Sequence, residues 1–331
     1  MPQSDRRQSA SQAAARGGEI SMLQLLARRL GVMVLIMLVV ALLLFLINEG
    51  DPRLVARSVL GPYAQDTQLD SWILQNGYDR PMYIRYFEWL GRMMTGDLGM
   101  SVIYKRPVAD IFWDRLGNTG ILAGITFVVM VVLALVLGVL AGMAEGSRRD
   151  RIISVISIGT TSIPEYASAV ILAGIFVFQL KWLPGTSSMV SGFNVVELIL
   201  PVSVLTLYGF GYIARMTRAS MAEVMTTAYI RTAALKGMPR SRIIMKHALR
   251  NALIAPFTVI MLQINWLLSG VVVTEFAFGY KGFGALLLEA ALRRDIFVIE
   301  ACGVAAVFVA VFTQTVGDLG YTYLNPRIRF K

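Results

Sequence analysis

The sequence predicts an all-α, polytopic integral membrane protein: six transmembrane helices with a short helix in a cytoplasmic loop. Three observations predict it. The 331 residues are 56% hydrophobic and 16% charged, too apolar and too lightly charged for an ordinary soluble domain. Uncharged apolar runs long enough to cross about 30 Å of hydrocarbon recur along the chain. Lysine and arginine gather on the segments that alternate runs leave on one side, as they do on cytoplasmic loops. The net charge of +10 therefore has a membrane explanation, and membrane lipid rather than nucleic acid is the expected surrounding partner.

The elements follow in order. Residues 1–30 form a cytoplasmic tail whose start is rich in Ser, Gln, Ala and Arg without apolar period. Residues 31–49 form the first span; no small-x-small cleavage pattern follows it, so it reads as an anchor and not a removed signal. Residues 50–116 mix Pro, Gly, Asp, Tyr and Trp with balanced charge and read as a hydrophilic extracytoplasmic insert, its Asp and Arg scattered as on a solvated face. Residues 117–323 form a five-helix core. Its first run, 117–144, carries Gly138 and Gly142 at a spacing that lets helices approach closely. A turn with Arg148, Arg149 and Arg151 follows. The next apolar stretch is interrupted at Ser162-Ile163-Pro164-Glu165, which predicts a short helix over 152–161 at or just inside the membrane surface and a spanning helix after it. Glu165 reads either as an intramembrane acid or, favoured here, as the capping-box partner of Ser162. Spans over 198–214, 251–274 and from 301 to about 323 complete the set, and 324–331 is a cytoplasmic tail.

Orientation follows from the basic residues. With both ends inside, the inner segments hold 19 of the 31 Lys and Arg; the outer ones hold 12, of which 8 lie in the long first loop, which counts little. The loop at 215–250 is therefore cytoplasmic. It carries Arg215, Arg218, Arg231, Lys236, Arg240, Arg242, Lys246 and Arg250 against a single acid, Glu223. Residues 229–236 are rich in helix formers, and Gly237 stands where a glycine ends a helix. Pro239 suits the first turn of a second helix, on which Arg242, Lys246 and Arg250 recur every fourth residue and share a face.

Chemistry is conspicuous by the motifs the sequence lacks. There is no G-x-x-x-x-G-K-[ST], so the chain does not cradle a nucleotide by a P-loop; Gly282 and Gly284 form a G-x-G with Leu287 where a third glycine would be needed. The lone His247 and lone Cys302 build neither a His-based metal site nor a disulfide, and no catalytic residue is expected. Charges are missing from the middle of nearly all spans, where a stand-alone ion-driven carrier usually needs them. Gln263, Asn265, Ser269, Thr313, Gln314 and Thr315 could line a translocation path or simply hydrogen-bond between helices.

The loop also carries a resemblance. Arg231-Thr232-Ala233, three residues and Gly237 resemble the EAA loop of bacterial ATP-binding-cassette importer permeases. His247-Ala248-Leu249-Arg250-Asn251-Ala252 resembles the B-type subunit of the dipeptide and oligopeptide branch, as do Asn76-Gly77-Tyr78-Asp79-Arg80-Pro81, Gly96-Asp97-Leu98-Gly99 and the final Asn325-Pro326-Arg327. The departures are Arg231 for the Glu of the general pattern, Ala228 and Lys281 at positions often filled by an acid and a proline, and Pro256 one position late. The resemblance implies a permease subunit without an ATPase site or cofactor of its own, ATP being bound by partner subunits. It implies a second, similar permease subunit, two ATPase subunits and an extracytoplasmic substrate-binding protein as partners. Coupling to the ATPase would fall to Tyr229, Arg231, Thr232, Ala233, Lys236, Gly237, His247 and Arg250. The cargo implied is di- or oligopeptide, with nickel chelates, glutathione and oligosaccharides as relatives of the same role.

Overall fold

In the computed structural model, which describes residues 22–189 and 192–324, helices follow one another with short connections. The first is α1 (Met22–Glu49). The insert supplies three short helices, α2 (Pro52–Leu60), α3 (Asp66–Gln75) and α4 (Met82–Thr95): Asp51 starts α2 by accepting from the Arg53 N–H, and Gly96 ends α4 in the left-handed region. Then come α5 (Val108–Gly142), α6 (Arg148–Ser162) and α7 (Glu165–Ala173), the last continued by a π-helical turn, Gly174–Gln179. The long α8 (Val195–Met225) leads to α9 (Ala228–Leu235). Beyond it lie α10 (Arg240–Arg242), a π-helical turn (Ile243–Ala248) and α11 (Leu249–Ala252), followed by α12 (Ile254–Gly270) and α13 (Val272–Ala277). The last two are α14 (Phe283–Arg293) and α15 (Ile296–Leu324). Among the described residues four helices are long and apolar enough to cross a membrane, and six spans result if each of two bent pairs counts as one.

The centre of the fold is the pairing of α5 with α8. Leu122, Met130 and Ala134 of α5 meet Leu205, Phe210 and Ile213 of α8, and Ile260 and Leu267 of α12 close the cluster. Small residues set the distance. A Cβ on Gly138 would lie 2.6 Å from the Thr217 Cβ and 2.7 Å from the Ala214 carbonyl oxygen; one on Gly142 would lie 2.6 Å from the Arg218 carbonyl oxygen. The spacing read from the sequence is therefore the contact itself, with backbone against backbone.

Several boundaries differ from those the sequence suggests, each for a physical reason. The helix α5 begins at Val108, well before residue 117, because the charged turns around Asp110 and Arg115 sit on an apolar face, Val108, Ile111 and Phe112, that packs on α14 and α15. The helix α8 runs three turns past Arg215. Its arginines do not end it: the Arg215 guanidinium lies over the Tyr212 ring at 5.2 Å, and Arg218 grips Asp150 of α6 with two bonds of 2.9 and 2.8 Å. The run at 251–274 is broken at Leu253, where Pro256 offers no N–H to the Ala252 carbonyl, and the pieces bend by 56°. The helix α6 begins at Arg148 and packs along α8, with the Gly211 Cα against the Ser157 carbonyl, before a bend of 104° at Pro164.

The insert is less solvated than its composition suggests. Arg85 is only 7% exposed: its guanidinium lies 5.1 Å from the Tyr78 ring and 5.8 Å from the Phe45 ring and donates to the Glu49 carbonyl at 3.1 Å. Trp89, one turn on, donates to Glu300 of α15 at 2.7 Å. The reading of the Asp and Arg there as a uniformly solvated face is thus corrected, since the aromatic face of α4 carries Arg85 inward with it. Exposed pairs such as Arg80–Glu88, at 2.7 and 2.8 Å, do fit that reading.

Candidate coupling surface and transport path

The surface built by α9 and the turn after it projects from one end of the α5–α8 pair. In α9 only Ile230 and Ala233 are buried, one helical turn apart, against Met221, Ile243, Ala248 and Ala252. Every other side chain of the helix is exposed, Arg231 and Thr232 among them. The Thr232 hydroxyl donates to the Ala228 carbonyl at 3.0 Å, which satisfies it within the helix. Lys236 is exposed at the C-cap, and Gly237 has φ +72°. The Gly237 and Met238 N–H groups donate to the Ala234 and Ala233 carbonyls at 3.0 and 3.3 Å, so the left-handed residue closes the orphan end of the helix. Among the described residues no atom lies within 4 Å of a Cβ built on Gly237, so there the constraint is conformational and not steric.

The chain returns beside α9 through the π-helical turn. Asn251 ties the two passes together, donating to the Tyr229 hydroxyl at 2.9 Å and to the His247 carbonyl at 3.3 Å. His247 is half-buried, with a buried Nε2 that has no hydrogen-bond partner among the described residues. Arg242, Lys246 and Arg250 are all exposed. The structure thus buries Ala233, half-buries His247, and ties the exposed Tyr229 to the His247 carbonyl through Asn251. Arg231, Thr232, Lys236, Gly237 and Arg250 are placed on the open surface. Sequence reading missed two members of that surface, Leu235 and Met245, which are 84% and 66% exposed. The available signal was an apolar side chain on the basic face, off the Ile230–Ala233 stripe.

The expected path residues whose side chains are described have these surroundings. Gln263 is buried and reaches the Gly209 carbonyl at 3.5 Å, while Gln314 is exposed on α15. Thr313 and Thr315 donate to carbonyls of their own helix. The side chains of Asn265 and Ser269 lie outside the described residues. Glu165 is a correction: it does not complete a cap with Ser162, whose hydroxyl donates to the Ile158 carbonyl at 2.9 Å. Its carboxylate instead accepts from the Thr274 N–H at 3.1 Å and hydroxyl at 2.5 Å, joining α7 to α13. Pro164 occupies the N-cap position and already sets the chain direction there.

At the far end of α5, on the order of 30 Å from the coupling surface by helix rise, a second acid organises the structure. Glu275 is fully buried and accepts from the Thr119 hydroxyl at 2.5 Å and the Ala285 N–H at 2.9 Å. Gly282 and Gly284 are explained by it. A Cβ on Gly282 would overlap the Glu275 carboxylate, and one on Gly284 would lie 2.9 Å from the Val272 Cα. The G-x-G is a packing device around a carboxylate. Beside it opens a cleft of about 530 Å³, edged by Arg115, Lys281, Glu289 and Arg293. There the Tyr104 hydroxyl donates to Glu289 at 2.6 Å, and burial pushes its phenol up to about 12.

A family model described as "Binding-protein-dependent transport system inner membrane component" matches residues 134–330, and the model for the N-terminal segment of such membrane components matches residues 22–123. The chain belongs to this family. The permease is 32% identical over 302 residues to the oligopeptide transport system permease protein AppB of Bacillus subtilis, covering 89% of this chain and 96% of the relative. It is 32% identical over 310 residues to the glutathione transport system permease protein GsiC of Escherichia coli, covering 94% and 100%. Among solved structures the permease shares its fold with a chain of the inward-facing MetNI methionine ABC transporter, with a TM-score of 0.51 and 18% identity over 65% of this chain and 96% of that one. The permease is therefore a multi-pass inner membrane subunit of an ATP-binding-cassette importer, a class that works with ATPase partners.

Proposed function

We propose that this permease imports di- or oligopeptides by alternating access. It does so together with a second, similar permease subunit, two ATPase subunits that bind the ATP, and an extracytoplasmic binding protein that delivers cargo. Both termini and the coupling surface are cytoplasmic, and the insert and the Glu275 end of α5 face outward. ATPase closure pushes α9, whose two buried side chains transmit the push to α8 and α11. The observation that carries the coupling role is the one-sided burial of α9 with its left-handed stop at Gly237. The peptide assignment rests on the relatives, AppB and GsiC, and is supported by the mixed charge of the Glu275 cleft, which suits a molecule bearing both an ammonium and a carboxylate.

The test is uptake of a labelled peptide into proteoliposomes. Uptake is expected only with the ATPase subunits, binding protein and ATP present. Peptide uptake by this chain alone, driven by a proton or sodium gradient, would overturn the reading. Competition by glutathione, and not by longer peptides, would move the cargo to the class that GsiC is named for.

A further inference from the structure

We infer that the turn between α5 and α6 holds an anionic phospholipid of the adjoining leaflet, clamped between Arg149 and Arg240. A cleft of about 570 Å³ opens there, floored by Leu140, Met143, Ile152 and Ile153 and rimmed by the two arginines. Its chemistry is split in the way a lipid is: an apolar base beneath a pair of guanidinium groups, which bind phosphate through planar, charge-assisted hydrogen bonds.

The charge at the rim is left over by the fold. The two acids of this turn, Glu145 and Asp150, both face Arg218, at 3.5 and 2.8 Å. Asp150 is further occupied by the Gly146 N–H at 2.9 Å and the Ser154 hydroxyl at 3.3 Å. Among the described residues neither Arg149 nor Arg240 has an acid partner, and both are exposed. Arg240 is held in place because it donates to the Met143 carbonyl at 3.3 Å. The second observation is the continuation of the floor. Ile152, Val155 and Ile156 recur at i, i+3 and i+4 on α6 and are 60%, 69% and 49% exposed. That stripe leads from the cleft along the outside of the bundle and gives an acyl chain a track below its headgroup. A protein partner would find cations here but would have to cover an apolar track that runs into the membrane; a lipid fits both. Basic pockets at helix ends on the cytoplasmic side bind lipid headgroups for the same reason. The inference rests on the proposed cytoplasmic placement of this end of α5 and depends on no choice of cargo. Because Arg240 follows the Gly237 turn, the lipid would also brace the exit of the coupling segment against α5.

The test is native mass spectrometry of the full-length permease, purified from bilayers of phosphatidylcholine and phosphatidylglycerol. Wild type is expected to retain phosphatidylglycerol in preference to phosphatidylcholine. In Arg149→Gln/Arg240→Gln the retained phosphatidylglycerol is expected to fall by about an order of magnitude, as loss of two cations near an anionic headgroup implies. Ile153→Trp fills the cleft without changing charge and is expected to lower retention too, which guards against a misfolded double variant. Arg231→Gln/Lys236→Gln, which removes equal charge from the coupling surface, is expected to leave retention unchanged. Equal retention of both lipids by wild type, or undiminished phosphatidylglycerol in both cleft variants, would overturn the inference. So would loss of ATPase co-purification in the double variant with lipid retention intact, which would assign the arginines to a protein contact.

Discussion

At the residue scale, glycines and one carboxylate carry consequences that can be measured. Gly138 lies against the α8 backbone, where overpacking costs about 1–3 kcal/mol. Gly138→Leu is therefore expected to lower the melting temperature and yield of purified permease, whereas Gly124→Ala, with no atom within 4 Å of its Cβ, is expected to be neutral. An unchanged melt for Gly138→Leu would mean that α5 and α8 are not in backbone contact. Gly237 is a different case, with open space but φ +72°. Valine there costs about 1–2 kcal/mol in the left-handed region, a factor of about 5–30 in the population of the observed turn. Gly237→Val is expected to insert normally and to lose most peptide uptake together with ATPase co-purification; normal values of both would remove α9 from the coupling step. Glu275 accepts from a hydroxyl and a backbone N–H inside the fold. Glu275→Gln would turn a donor toward one of those donors, and a buried unsatisfied group costs about 1–3 kcal/mol. Its melting temperature is expected to fall, and no fall would imply that the carboxylate is not the hub of that end.

At the scale of elements, α9 shows what a short helix needs in order to serve as the proposed lever. Eight residues are too few to be stable alone. Burial of Ile230 and Ala233 against Met221 and Ile243 supplies the missing stability and leaves the rest of the surface for a partner. Leu235, 84% exposed beside Lys236, is the apolar centre such a partner would cover. Leu235→Glu is expected to leave the permease fold intact and to weaken retention of the ATPase in affinity purification by about tenfold or more, as loss of a central apolar contact at an interface does. Full retention would place the docking surface elsewhere. The helix ends in this region were legible at Gly237 because the left-handed stop is a local backbone property. The end of α8 was not, because Arg215 and Arg218 look like loop residues until the Tyr212 ring and Asp150 that receive them are known.

At the scale of the whole molecule, the proposed coupling surface and the Glu275 cleft occupy opposite ends of α5, which suits a device that turns a push at one face into an opening at the other. The proposed orientation can be read directly. After Cys302 is replaced, Thr186→Cys is expected to react with an impermeant thiol reagent added to intact cells, and Ser241→Cys to be protected; both positions are exposed. The reverse labelling would invert the molecule and put α9 out of reach of any ATPase.

The number and class of the apolar runs, the basic loop, the glycine stop after α9 and the close approach at Gly138 and Gly142 were determined by the sequence itself. Each depends on composition or on neighbours within a few residues, which the chain states outright. Tertiary structure decided the rest. It placed Arg85 under aromatic rings, gave Glu165 to Thr274 instead of to its own helix end, made the G-x-G a seat for Glu275, and gave both local carboxylates to Arg218, so that among the described residues Arg149 and Arg240 have no acid partner. Some of these partners lie tens of residues away or more, and even the nearer ones, Tyr78 for Arg85 and Glu275 for Gly282, are chosen by the turn of the fold between them; the environment of a charge is set by what the fold brings against it.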